Sequence, residues 1–115
     1  MGYSPQSRFK VTIASGVTLS SAIDLGRGWP HTQIEIPTMA SGTDIYFQCA
    51  NTLDGTYRGH HHRLTNSTAT PGAMYVDSSV TNCFVHLEFI NDRYMKIELS
   101  TAMTATSAEF HIVCS

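Results

Sequence analysis

Apolar and polar residues alternate one for one along nearly every segment long enough to form an element. Phe9, Val11 and Ile13 alternate with Arg8, Lys10 and Thr12; Ile45, Phe47 and Cys49 alternate with Tyr46 and Gln48. Cys83, Val85, Leu87 and Phe89 are interleaved with Phe84, His86 and Glu88. Met95, Ile97 and Leu99 are interleaved with Lys96 and Glu98, and Phe110, Ile112 and Cys114 with Glu109, His111 and Val113. Consecutive side chains of a strand point to opposite faces, so this period of two predicts strands that share one apolar face. No segment carries a convincing helical period. The chain is therefore expected to be all-β.

The strand candidates are Arg8–Ile13, Ser21–Leu25, Gln33–Ile36, Asp44–Asn51, Tyr57–Thr65, Met74–Val76, Asn82–Phe89, Tyr94–Leu99 and Ala108–Cys114. Their spacing is that of a sandwich or barrel. Turn-forming residues separate them: Ser15-Gly16, Gly26-Arg27-Gly28, Ser41-Gly42, Asp54-Gly55, Pro71-Gly72 and Asn91-Asp92. Asp54-Gly55 predicts a tight hairpin, and Asn91-Asp92 predicts a second between Phe89 and Tyr94. Residues 66–73 and 101–107 read as loops. With 115 residues the chain supports one domain. Residues 1–7 are expected to form a flexible arm and residues 8–115 a single β-sandwich domain.

Only 14% of the residues are charged, against roughly 25% in an average soluble protein. The net charge is −2 and the seven Lys and Arg are scattered singly, which argues against a nucleic-acid partner. No apolar run is long enough to cross a bilayer, and the opening residues lack the apolar core of a secretory signal. Neither a membrane nor an export route is expected. The three cysteines, Cys49, Cys83 and Cys114, fall on the apolar face of their strands. They read as core thiols, small buried hydrophobes in a reducing cytoplasm.

Three features could carry chemistry. His60-His61-His62 offers imidazoles, the commonest metal ligands, yet a closed structural site needs about four donors and only His86 or His111 could add them. A polar strand on a wet surface or a subunit contact is the simpler reading, so no metal and no cofactor are expected. The acidic residues lie singly, several on outward strand positions, and no nucleophile elbow, P-loop or dinucleotide fingerprint is present. No enzymatic activity is expected. Trp29, in Gly26-Arg27-Gly28-Trp29-Pro30-His31, is the single indole. It reads either as a cap on a core edge or interface, or as a platform for a sugar ring together with Tyr46, Tyr57 and Tyr75.

Three stretches resemble a group of small all-β virion proteins of tailed bacteriophages. The run Val11 to Gly26 is similar to that group's opening, an Ala-Ser-Gly turn, then Leu-Ser-x-Ala and an Ile-Asp-Leu-Gly strand end. Ile45 to Tyr57 resembles its Thr-Phe-Gln-x-Ser-x-Asp-Gly-Gly-Thr-Tyr hairpin, with Cys49 and Leu53 as departures. Arg93 to Ser100, followed by a polar loop and Phe110–Val113, is similar to its Arg-Tyr-Leu-Lys-Ile strand and closing segment. The histidine run and residues 66–73 are outside the pattern. The resemblance implies a virion structural role, foremost a capsid decoration (cement) protein on the outer shell. It would be assembled in the host cytoplasm, bind the major capsid protein and form a homo-oligomer, a dimer or trimer. The expected fold is a single antiparallel, jelly-roll-like sandwich of about eight strands. Trp29, His31, Arg58, His60, His62 and Arg63 are the expected contact residues, and the N-terminal arm is a candidate for strand exchange. A tail or neck structural protein, or a carbohydrate-binding module on the virion surface, is the alternative.

Overall fold

A computed structural model describes residues 6–39, 43–59, 75–76, 83–87, 92–104 and 106–115. Nine strands run through these residues, and no helix. They are β1 (Ser7–Ile13), β2 (Ile23–Asp24), β3 (Thr32–Ile36), β4 (Ile45–Ala50), β5 (Arg58–Gly59), β6 (Tyr75–Val76), β7 (Cys83–Leu87), β8 (Tyr94–Leu99) and β9 (Ala108–Cys114). Two antiparallel sheets result, one in the order β1-β9-β3-β7 and one in the order β2-β8-β4-β5, with β6 also on β4. Each expected strand has its counterpart: β8 and β9 match the expected bounds, β1 and β3 begin one residue earlier, so that Ser7 of the expected arm is paired, and the second and fourth strands are shorter than expected by three and two residues.

The alternation decides which side chains go inside. In β9, Ala108, Phe110, Ile112 and Cys114 are buried, while Glu109, His111 and Val113 face outward. Ile34 and Ile36 of β3, Ile45 and Phe47 of β4, and Met95, Ile97 and Leu99 of β8 follow the same rule. These residues, with Leu25, Trp29 and Met103 from the connections, form one core cluster. Both sheets contribute an inner face to it, so the fold is sandwich-like. Full burial of each such side chain contributes about 1.5–3 kcal/mol. Cys49 and Cys114 are free and buried, as core thiols should be. Burial pushes the Cys49 thiol up to about 12, which keeps it protonated and unreactive.

The connections use specific chemistry. Gly16, at φ +82°, occupies the third position of the turn closed by Val17 N–H donating to the Ala14 carbonyl at 3.1 Å. A type II turn needs positive φ there. Asp24 Oδ1 accepts from the Gly26 amide at 2.8 Å, and Gly26 has φ +81°. Ser20 is buried in the β1–β2 connection. Its hydroxyl donates to the Ser21 carbonyl and accepts from the Ile97 amide at 2.9 Å.

Two expected hairpins come out differently. Asp54-Gly55 is not the centre of a tight turn: Gly55 is the fourth residue of a turn closed by its amide on the Thr52 carbonyl, 3.1 Å. The β4–β5 pairing begins only at Cys49 opposite Arg58, so the loop is longer than two residues. Asn91-Asp92 joins no hairpin, because β7 pairs with β3 in one sheet while β8 pairs with β2 and β4 in the other. Turn residues reverse the chain but do not choose the sheet to which it returns.

Two short strands, β5 and β6, share one edge of β4. Gly59 stands opposite Gln48, and Tyr75 stands opposite Tyr46, on the same side of β4. The strand expected over Tyr57–Thr65 is described only at its start, as β5; its remainder, residues 60–65, lies outside the described residues.

Candidate interaction surface

The outward face of the β1-β9-β3-β7 sheet is laid out by register. One row runs Arg8, Val113, Gln33, His86, and the next runs Lys10, His111, Glu35, Phe84. Side chains directly opposite one another across antiparallel strands sit within reach. His111 Nε2 lies 2.9 Å from Glu109 Oε2, and Lys10 Nζ lies 3.7 Å from Glu109 Oε1. The His111 contact, then Lys10, holds the Glu109 carboxyl below its ordinary value. Phe84 is 62% exposed, an apolar ring on a mostly polar face.

A cleft of about 290 Å³ opens at one end of this face, lined by Gln6, His31, Gln33, His86, Val113 and Ser115. His31 precedes β3 and is tied to the end of β9 by two backbone bonds: its amide donates to Ser115 at 3.1 Å and its carbonyl accepts at 2.9 Å. Its ring centroid is 5.9 Å from that of His86, with the planes tilted by 34°. The two imidazoles and Gln33 form the polar heart of the cleft.

The other sheet presents a different outward face. Lys96 Nζ lies 4.2 Å from the Tyr57 ring centre, and the Arg93 guanidinium lies 5.2 Å from that of Tyr94. Gln48 donates to Glu98 at 3.3 Å. Arg93 also pairs with Asp24 through two bonds of 2.8 and 2.9 Å, and this pair, helped by the Gly26 amide, lowers the Asp24 carboxyl. The ring faces here are engaged by cations rather than stacked on one another.

The described residues among those expected to bind a partner do not converge. Trp29 is 5% exposed and belongs to the core; its indole N–H donates to the Leu25 carbonyl at 2.9 Å, and the Arg27 guanidinium lies 4.0 Å from its ring centre. It is a core-edge residue and presents no open platform, being buried and capped by Arg27. His31 lines the cleft on one sheet. Arg58, exposed, sits in β5 on the edge of the other. His60, His62 and Arg63 lie outside the described residues. His86 and His111, considered as partners for that histidine run, both stand on the outward face of the β1-β9-β3-β7 sheet.

Sequence reasoning missed the cleft. Parity alone shows that His86 and Phe84 point outward, but only the β3–β7 and β3–β9 registers put His86 beside Gln33 and His31. No local signal in the chain gives those registers. Comparison with protein-family models, with curated proteins and with solved structures finds no match. The fold and surface thus define a class, a small all-β sandwich-like module with two differently furnished outward faces.

Proposed function

We propose that this chain is a structural protein of a tailed-bacteriophage virion, a decoration protein that binds the outer shell and stabilises it. The observation that carries this reading is the nesting of the strand pairs. β1 pairs with β9, β2 with β8, β3 with β7, and β4 with β5. A ribbon whose first strand meets its last, and so on inward, wraps into two antiparallel sheets in the manner of a jelly roll, here of four and five strands with β6 sharing the β4 edge. Viral capsid and lectin domains use that architecture. The likeness of Val11–Gly26, Ile45–Tyr57 and Arg93–Val113 to virion proteins points the same way and is independent of topology.

Three of the described carboxylates are engaged in pairs that suit a contact surface better than an active site. Asp24 is committed to Arg93, Glu109 to His111 and Lys10, and Glu98 to Gln48. The partner is the major capsid protein, met by a homo-oligomer. Repetition over a symmetric shell turns modest single contacts into strong retention. Contacts come from the outward face carrying His31 and Phe84 and from the edge carrying Arg58. Carbohydrate binding loses its main platform with the burial of Trp29.

The test is co-sedimentation of the full chain with capsids from its own phage that lack it, beside purified tails. Saturable binding to capsids, at a copy number matching a set of symmetry positions and with a raised capsid melting temperature, supports decoration. Binding to tails alone transfers the role to tail or neck, and binding to neither overturns a virion role.

A further inference from the structure

We propose that His31 and His86 form a binding site for one divalent transition-metal ion, of the imidazole-preferring kind (Cu²⁺, Ni²⁺, Zn²⁺), in the cleft on the outward face of the β1-β9-β3-β7 sheet. The inference is independent of the virion role.

Three observations carry it. The first is the separation of the rings. A metal–nitrogen bond is about 2.0–2.1 Å and the nitrogen lies about 1.1 Å from its ring centre, so two imidazoles on one ion have centres about 4.5 Å apart at a right angle, about 5.2 Å at a tetrahedral angle and about 6.3 Å when opposite. The His31 and His86 centres are 5.9 Å apart. The second is that both ligands are carried on paired backbone. His31 is clamped to Ser115 by two hydrogen bonds, and His86 lies opposite Gln33 in the β3–β7 ladder. Ring rotation is the main freedom that binding must remove. The third is space. The cleft holds about 290 Å³, several times the roughly 30 Å³ share of a water molecule, so an ion enters with its own waters.

Among the described residues no third His, Cys, Asp or Glu joins the pair. Water therefore fills the remaining positions, with the carboxamides of Gln33 and Gln6 lining the cleft beside it. Such an open site differs from a closed four-ligand structural centre. Imidazole donors favour copper, nickel and zinc over magnesium or calcium, and Cu²⁺ should bind most tightly of the three.

The experiment must separate this pair from His60-His61-His62. Cu²⁺ is titrated into the full chain and into a variant with H60A, H61A and H62A, with calorimetry for stoichiometry and amide NMR for location. The expected result is one Cu²⁺ retained per chain in the triple variant. Paramagnetic loss of the His31, Gln33 and His86 signals should come at substoichiometric metal. H31A and H86A, each made in that variant, should weaken binding about tenfold or more, since losing a supporting group alone costs 10–100-fold. Loss of all binding in the folded triple variant, or unbroadened His31 and His86 signals, overturns the proposal. Should the triple variant fail to fold, broadening in the native chain decides: bleaching at His31 and His86 supports the site, and its absence there refutes it.

Discussion

Replacing Trp29 tests the structure at the point where it departs most from a surface-binding reading. The indole is 5% exposed, donates one buried hydrogen bond to the Leu25 carbonyl at 2.9 Å, and has the Arg27 guanidinium 4.0 Å from its ring centre. Trp29→Phe keeps most of the apolar contact but removes the donor, which leaves a buried carbonyl without its partner at a cost of about 1–2 kcal/mol. Trp29→Ala also opens a cavity, for a total of about 3–5 kcal/mol. A domain of this size loses about 4 °C of melting temperature per kcal/mol. The expected drops are therefore about 4–8 °C for the phenylalanine variant and about 12–20 °C for the alanine variant. Against a total stability of about 5–15 kcal/mol, the second change threatens folding itself. Thermal unfolding followed by circular dichroism measures both. Because the chain has a single tryptophan, its fluorescence reports this site alone and should resist iodide quenching until the chain unfolds. A Trp29→Ala protein melting within a degree or two of the parent, together with ready quenching in the native state, would refute the core assignment and restore Trp29 as a surface contact.

Ser20→Ala strands the buried Ile97 amide that the hydroxyl now accepts from at 2.9 Å; a loss of about 1–3 kcal/mol is expected, read as a fall in denaturation midpoint at constant slope. Asp24 has its carboxyl depressed by Arg93, so its contribution is present above the ordinary carboxylate range and is lost as pH falls through its folded-state value. Carboxyl NMR titration should place its midpoint below that of an unpaired aspartate, and Arg93→Ala should raise it.

Strand identity was legible because it rests on a two-residue period that each segment carries within itself. Ile34, Phe47, Ile97 and Ile112 could be assigned to the core from their neighbours alone, and their burial follows. Strand partnership was not legible, because it depends on residues far apart in the chain. Asn91-Asp92 has the composition of a hairpin turn, yet β7 and β8 on either side of it lie in different sheets, since β8 finds its partners in β2 and β4. Trp29 shows the same limit. The residues around Trp29 left a core edge, an interface and a sugar platform open, and only its burial and the bond of its indole to the Leu25 carbonyl assign it to the core. The cleft was the least legible feature. Its lining is drawn from positions 6, 31, 33, 86, 113 and 115, which no local pattern connects.

That scatter has a physical consequence. Gln6, Ser115 and His31 come together only after β9 has docked between β1 and β3, the pairing with the greatest separation along the chain. Loop closure over such a distance is costly until the remaining contacts reward it, so long-range pairing of this kind forms slowly. The cleft is therefore a property of the fully wrapped domain and is absent from any partly folded one. Arg58 belongs to the opposite case. It sits on the β4–β5 hairpin, closed by the local Thr52–Gly55 turn and by the Tyr57 hydroxyl donating to the Leu53 carbonyl at 3.0 Å. The two surfaces lie on different sheets and arise from contacts of different range. Substitutions at the β4–β5 edge can then alter its contacts while His31 and His86 keep their separation, whereas any change that weakens β9 docking removes the cleft first.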